Sequence, residues 1–202
     1  MFPLKSLLMG RPAVHPRDSI LDGARAIALA DGAGSATVEA IARRTGAPVG
    51  SIYHRFASRD DLLAQVWIRA VRRSQARFLI AIDRPDSVDA AVAGALSILD
   101  FCRDEPEDAR LLAAVRASDL MRADLSDALA RDLADVNRGL LRAVRRLSVA
   151  LHGRKTDAAL QRTLLAVFDL PYGAARRHLV AGSPLPGALW ADLERAVRAV
   201  VT

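Results

Sequence analysis

Between residues 37 and 63 the chain reads TVEAIARRTGAPVGSIYHRFASRDDLL, with two short helical patterns on either side of a glycine. Thr37 is a good N-cap for the first helix, and Glu39 lies in its first turn, where the helix dipole favours an anion. Gly46 ends this helix, and Pro48 lies at the expected start of the next, where a missing N–H costs little. Two short helices joined by a tight glycine-containing turn predict a helix-turn-helix.

The second helix of this pair, from Val49 to about Arg55, has two chemically different sides. Its apolar side is predicted to pack inward and contains Val49, Ile52 and Phe56. Its outward side is small and polar and contains Gly50, Ser51 and His54. Tyr53 lies at the edge, where its hydroxyl could touch a phosphate. A helix that enters the major groove needs small residues for close approach and polar groups for the base edges, so we expect double-stranded DNA as its partner.

The helices on either side of this pair complete a small N-terminal unit. Ile20, Ala24 and Ile27 recur on one face of a helix from about Arg17 to Ala30. After the pair, Ser58 and Asp61 have the spacing of a capping box that opens a long helix over residues 59–82. We therefore predict a three-helix DNA-binding domain over residues 17–63, preceded by a flexible arm over residues 1–16. Met9 is an alternative start of the natural chain.

The distribution of charge agrees with this division. The formal net charge is +6, and residues 1–80 carry 12 Lys and Arg against 6 Asp and Glu, so the whole excess lies there. Such an asymmetry indicates an N-terminal module that faces a polyanion and a neutral C-terminal module with another task. The alternative is that these charges are ordinary solvated helix faces. Charge alone leaves both interpretations open.

The motif resembles the TetR family of bacterial repressors over about residues 15–65. The resemblance rests on the run from Thr37 to Phe56, followed by Ser58-Arg59-Asp60-Asp61-Leu62-Leu63. It implies a homodimer with a variable C-terminal helical domain that binds an inducer, and a dimer interface formed by the last two long helices. It implies DNA contacts at Thr37, Pro48, Val49, Gly50, Ser51, Tyr53, His54 and Arg59. The family usually has Lys at the position of Arg59. To these we add Arg44, whose charge extends the basic surface, with a solvated side chain as the alternative.

The rest of the chain is predicted to be helical as well. Arg84-Pro85-Asp86-Ser87 is the expected linker to an effector-binding and dimerisation domain over residues 84–202. Helical patterns occur at about 87–104, 107–117, 124–151, 156–180 and 186–201, which gives an all-α fold of about nine helices. Pro171 lies inside one of these patterns, where a proline removes a hydrogen bond, so a kink or break is expected there.

An effector pocket would be lined by apolar residues of the central helices of this domain. The candidates are Phe101, Cys102, Leu112, Phe168, Tyr172 and Arg176, and each has plain core or surface as its alternative. The expected ligand is an unidentified small molecule, apolar or amphipathic. Cys102, the only cysteine, is interpreted as a small buried hydrophobe rather than a redox sensor.

The apolar stripes of the last two segments predict the dimer interface, since two copies of a helix pair bury such stripes in a four-helix bundle. The predicted interface residues are Leu160, Leu164, Val167, Trp190, Leu193, Val197 and Val200. No cysteine cluster, catalytic motif or apolar run of membrane-spanning length occurs, so we expect no metal, no cofactor, no enzymatic activity and no membrane, and a cytoplasmic location.

Three functions remain open at this stage. The first is a repressor that a small-molecule effector releases from an inverted-repeat operator. The second is an effector-independent or partner-controlled DNA-binding regulator or activator. The third, a helical enzyme or interaction module that merely contains the motif, has no catalytic constellation to support it.

Overall fold

The computed structural model describes residues 16–121 and 123–202, and the predicted N-terminal arm and alternative start lie outside these residues except for Pro16. The described residues form helices and no strand, which confirms the all-α prediction. The N-terminal helices are α1 (Arg17–Asp31), a 3₁₀ turn (Ala33–Ser35), α2 (Val38–Thr45), α3 (Val49–Tyr53) and α4 (Arg59–Ala81). These bounds agree with the sequence prediction, apart from α3, which ends two residues early.

The second part of the chain contains more breaks than the sequence predicts. Its helices are α5 (Ser87–Asp104), α6 (Pro106–Ala114), α7 (Ala117–Leu120), α8 (Asp127–Asp135), α9 (Arg138–His152), α10 (Asp157–Leu164), α11 (Leu170–Ala181) and α12 (Ala188–Val201). The helix expected over 124–151 is two helices, because the chain turns at Val136 and Asn137, where ψ of Asn137 flattens to −5°. Asn137 and Gly139 are both weak helix formers, which favours a break at this point.

The predicted helix caps of the N-terminal unit are present. The hydroxyl of Thr37 accepts a hydrogen bond from the Ala40 N–H at 3.1 Å, and that of Ser58 accepts one from the Asp61 N–H at 3.0 Å. Gly46 ends α2 with a positive φ of 71°, a conformation that glycine adopts without steric cost. The carboxylate of Asp61 accepts a hydrogen bond from the Ser126 N–H at 2.9 Å, so it connects α4 to the segment before α8.

The core of the N-terminal unit reaches across the predicted linker. Its largest fully buried side chains come from α1 to α4 and the turn after α3, and they are Ile20, Ile41, Ile52, Phe56, Leu62 and Val66. Leu111 of α6 is buried in the same cluster, and Leu112 and Val115 pack against it. Helix α6 therefore packs directly against the helices of the DNA-binding unit.

The break expected at Pro171 is a π-helical turn over Leu165–Asp169. The Leu170 N–H donates to the Leu165 carbonyl, five residues back instead of four. Pro171 has no N–H to donate and its ring crowds the carbonyl four residues earlier, so a wider turn before it relieves the conflict. Phe168 within this turn stacks on Phe78 of α4, with ring centroids 4.9 Å apart.

Helix α5 lies at the centre of the second core, where it packs against α4, α11 and α12. Gly94 on α5 allows this approach, because a Cβ there would lie 2.9 Å from the Phe78 ring. In the described ranges, no helix is both long and apolar enough to cross a bilayer.

Candidate nucleic-acid interface and apolar cavity

Helix α3 presents its small, polar side to solvent. Ile52 and Phe56 are buried in the N-terminal core, whereas Gly50 and His54 are exposed and Tyr53 is 51% exposed. Since α3 has only five residues, a single buried side chain, Ile52, anchors it from within. The outward face predicted from the sequence is therefore available to a partner.

Val49 does not pack inward as the sequence predicts. Its side chain is 38% exposed and does not belong to the N-terminal core. Val49 is the first residue of α3 and follows Pro48, so it lies at the end of the helix, away from the anchor at Ile52. With Pro48 also exposed, the start of α3 joins the outward surface.

Ser51 is half-buried and held by a neighbour on its own helix. Arg55 donates hydrogen bonds to the Ser51 carbonyl at 2.9 Å and to its hydroxyl oxygen. The hydroxyl hydrogen of Ser51 remains available as a donor, because the arginine uses only the oxygen as acceptor. This contact holds the Ser51 side chain in one orientation, as recognition of a base edge requires.

Arg59 has a structural role that the sequence did not reveal. Its guanidinium donates to the Ala36 carbonyl at 3.0 Å and to the Ala33 carbonyl, and it pairs with Asp60 at 3.0 Å. The side chain thus ties the start of α4 to the turn that precedes α2. A planar fork of five N–H donors can bridge two carbonyls in this way, whereas the ammonium of the family's usual lysine is a point charge.

Helix α2 contributes exposed groups at both of its ends. Thr37 is exposed at the N-terminus, where free backbone N–H groups favour an anion. Arg43 and Arg44 are exposed in the last turn, and neither forms an ion pair or hydrogen bond with the described part of the chain. Because α2 packs against α3, these groups flank the outward face of α3.

An apolar cavity of about 350 Å³ lies among α4, α5, α6, the π turn and α11. Five of the six residues predicted for the effector pocket line it, namely Phe101, Cys102, Leu112, Phe168 and Tyr172. The sixth, Arg176, does not line the cavity, because it lies one turn beyond Tyr172 on the exposed side of α11. The lining residues that the sequence did not single out are Ser74, Ile98, Ala109, Asp169 and Leu179.

Residues 20–66 match the sequence profile of the bacterial regulatory proteins of the tetR family. The N-terminal unit of this chain is therefore a TetR-family domain. Comparison with curated protein sequences gives no match. Solved structures of bacterial regulators share the fold of this chain over nearly its whole length.

The fatty acid degradation regulator FadR from Bacillus halodurans has a TM-score of 0.69 at 16% identity, over 91% of this chain and 98% of that one. A transcriptional regulator from Rhodococcus sp. Rha1 has a TM-score of 0.65 at 22% identity, over 92% and 95% of the two chains. The ketosteroid transcriptional regulator KstR2 of Mycobacterium tuberculosis has a TM-score of 0.65 at 15% identity, over 92% of each chain. At these identities the likeness concerns the fold alone.

The dimer interface predicted from the sequence needs a correction. Val167, Leu193 and Val197 are buried in the core of a single chain, so they cannot also form a surface between two chains. The apolar stripes that the sequence shows are those that hold the π turn and α12 against α5, and α10 against α9. Leu160, Leu164, Trp190 and Val200 are half-buried at the margin of this core.

Trp190 is also held within its own chain. Its indole N–H donates to the Asp100 carboxylate at 2.9 Å, and the Arg103 guanidinium lies 5.4 Å from the centre of its ring. The outward faces of the π turn and of α11 instead expose Leu165 (43%) and Val180 (67%). Tyr172 on α11 is also 43% exposed.

Cys102 has the environment of a buried hydrophobe, as the sequence predicts. The side chain is buried in the core beside the cavity, and this burial raises the pKa of its thiol to about 11. The thiol is therefore neutral at physiological pH, and nucleophilic attack or ready oxidation needs the thiolate.

Proposed function

We propose that this TetR-family chain is a homodimeric repressor that binds an inverted-repeat operator through α3 and leaves it when a small molecule occupies the cavity. The observation that carries the DNA-binding part is the outward face of α3. Apart from Val49, its exposed groups are small or polar, while Ile52 and Phe56 hold the helix firmly to the core. We expect the protein to act in the bacterial cytoplasm, where the chromosome lies.

On this proposal, the groups around α3 divide into two kinds. Ser51 and His54 read base edges in the major groove, while Thr37 and Arg44 bind the phosphates on either side. Two copies related by a twofold axis place two such helices about 34–36 Å apart, or somewhat more, so the operator is an inverted repeat.

The proposed signal passes from the cavity to the DNA-binding unit through α6. Ala109 and Leu112 of α6 line the cavity. The adjacent residue, Asp108, is 1% exposed and pairs with Arg25 of α1 and, at 2.9 Å, with Arg73 of α4. A ligand that displaces α6 would therefore act on both α1 and α4. If the ligand favours a form of the dimer whose two α3 helices no longer match the operator, it shifts the equilibrium towards that form and the DNA is released.

The dimer is proposed to form through the outward face of the π turn, α11 and α12, where Leu165 and Val180 are exposed. A Val180→Glu variant should be monomeric at concentrations where the unaltered protein sediments as a dimer, because a charge in an apolar interface is costly to desolvate. Ile80→Glu is the matched control, since Ile80 is also highly exposed but lies near the end of α4. Dimers that persist in the Val180 variant would contradict this interface.

DNA binding is tested by selecting fragments from genomic DNA and measuring their affinity by fluorescence anisotropy. The Ser51→Ala and His54→Ala variants should change which bases are preferred. Arg44→Ala should weaken binding to every DNA sequence alike, and it should reduce the slope of log affinity against log salt concentration by about one. Failure to retain any fragment even at low salt would overturn the proposal.

The effector part has a separate test, with the effector-independent regulator as its alternative. Ala109→Trp fills the cavity from α6. On the proposal, this variant still folds but no longer responds to compounds that release the unaltered protein from DNA. If no compound extracted from or added to the protein alters DNA binding, the effector-independent alternative replaces the proposal.

A further inference from the structure

We propose that the ligand of the apolar cavity is a small hydrophobic cation, with an aromatic or alkyl body inside and an ammonium group at the carboxylate of Asp169. This inference rests on the proposed function, because it takes the cavity as the effector site. It adds the chemical class of the ligand and the residue that selects it.

Aromatic side chains form much of the cavity wall. Phe101, Phe168 and Tyr172 line it, which is three of the seven Phe and Tyr residues in the chain. Ile98 and Leu112 provide further apolar wall. The volume of about 350 Å³ is at the small end of the ~300–1,000 Å³ typical of ligand pockets, so it suits a compact molecule. Aromatic faces also attract a cation that lies close to them.

The charge at the cavity is negative. Among the described residues that line it, Asp169 alone is charged, and its side chain makes no ion pair or hydrogen bond with the described chain. Other carboxylates near the cavity are neutralised, because Asp108 pairs with Arg25 and Arg73 and Asp104 pairs with Arg77.

Two of the basic residues beside the cavity are already paired, whereas the exposed Arg110 and Arg176 lie outside its wall. Arg73 and Arg77 flank the lining residue Ser74 on α4, but Arg73 is held by Asp108 at 2.9 Å and Arg77 by Asp104 at 2.8 Å. An anionic ligand would therefore meet the carboxylate of Asp169 and no positively charged residue among those that line the cavity. A ligand with a positive head would instead pair with the carboxylate of Asp169, which is exposed at the mouth of the cavity.

The π turn is what places Asp169 at the cavity. Asp169 is the last residue of this turn, and it also lines a shallow outer groove with Leu165 and Val200, so it lies at the boundary between inside and solvent. In a regular helix, one residue fewer in the turn would rotate everything beyond it by about 100° relative to α10. Single π turns inside α-helices occur frequently at functional sites, which agrees with a ligand contact here.

The test compares three ligands of the same body and different charge by isothermal titration calorimetry. These are 4-phenylbutylamine, 4-phenylbutanol and 4-phenylbutanoate. We expect the amine to bind about fivefold tighter than the alcohol at low salt, the combined effect of an exposed ion pair and a cation–π contact. The carboxylic acid should bind more weakly than the alcohol.

Asp169→Asn should remove the ion-pair part of the amine's preference, so that only the cation–π part, about twofold, remains, and it should leave the affinity of the alcohol unchanged. Asp83→Asn is the matched control, because Asp83 is an exposed carboxylate outside this cavity, and it should preserve the preference for the amine. If the alcohol or the acid binds as tightly as the amine, or if Asp169→Asn keeps the full preference, the assignment of a cation is wrong.

The same titrations separate this inference from the proposed function. If the neutral or acidic compound binds and releases the protein from DNA, the cation class is overturned while the effector site stands. If none of the three compounds binds to the unaltered protein, both the cation class and the use of this cavity are overturned. DNA binding, measured on its own, is unaffected by either result.

Discussion

Gly50→Ala adds one methyl group to the outward face of α3 and separates folding from DNA binding. A Cβ built at Gly50 has no atom within 4 Å in the described part of the chain, so the methyl group meets no obstacle in the free protein. Gly50 is the second residue of a helix, where alanine is favoured over glycine by about 0.5–1 kcal/mol. For a chain of this size, that corresponds to a rise in Tm of about 1–4 °C.

On DNA the same methyl group would separate α3 from the base edges. If the helix lies in the major groove with this face inward, losing the contacts to one base pair costs about 1–3 kcal/mol, roughly a 5-fold to 150-fold loss of affinity. Gly139→Ala is the matched control, because Gly139 is the second residue of α9 and has only the end of Arg142 within 4 Å. It should raise Tm in the same way and leave DNA affinity unchanged.

The assays are calorimetric unfolding and fluorescence anisotropy on the selected operator. A Gly50→Ala protein that is more stable and binds DNA as tightly as the unaltered protein would refute the orientation of α3. A protein with a lowered Tm would refute the reasoning about open space around Gly50.

Three further predictions concern stability and the cavity. Asp108→Ala should lower the free energy of unfolding in urea by about 3 kcal/mol, because it leaves Arg25 without its buried partner. Arg72→Ala breaks an exposed ion pair and should lower it by less than about 1 kcal/mol. Equal losses would contradict the importance of burial. Alkylation of Cys102 by iodoacetamide should be slow at pH 7, and its rate should rise about tenfold per pH unit towards the thiol pKa of about 11. A ligand in the cavity should protect Cys102 from alkylation. A rate that levels off near pH 8 would argue against burial. Burial and the nearby arginines lower the pKa of His152 below 6.5. Below pH 6.5 protonation of His152 therefore favours the unfolded chain, so the free energy of unfolding falls as the pH falls towards the pKa of His152 in the folded protein. His152→Gln should reduce the loss of Tm between pH 7.5 and 5, and an unchanged loss would contradict this source.

The DNA-binding helices could be predicted because local signals define them. Thr37 and Ser58 cap their helices through a hydroxyl that bonds a backbone N–H three residues later, and Gly46 ends α2 in a left-handed conformation. Each of these signals lies within one turn of the boundary that it sets, so a single sequence contains it. The outward face of α3 follows from the same periodicity.

The partners of an apolar stripe are not contained in its periodicity. Val167 and Val197 show which faces of their helices are buried, but burial against α5 and burial against a second chain give the same pattern. The two cases differ only in which helix covers the stripe, and that is decided by long-range packing. Arg59 is similar, since its two carbonyl partners lie 23 and 26 residues earlier in the chain.

The proposed regulation depends on contacts of this long-range kind. Arg25 and Asp108 are separated by 83 residues, and Trp67 of α4 donates to the Val115 carbonyl 48 residues later at 3.0 Å. Both contacts connect the DNA-binding unit or its connecting helix to α6 and the residue that follows it, and α6 also forms part of the cavity wall. A regulator needs recognition elements that fold reliably from local signals, and a connection between its sites that can take two arrangements. In this chain α3 meets the first requirement, and α6, held by a buried ion pair on one side and bordered by a cavity on the other, is the element suited to the second.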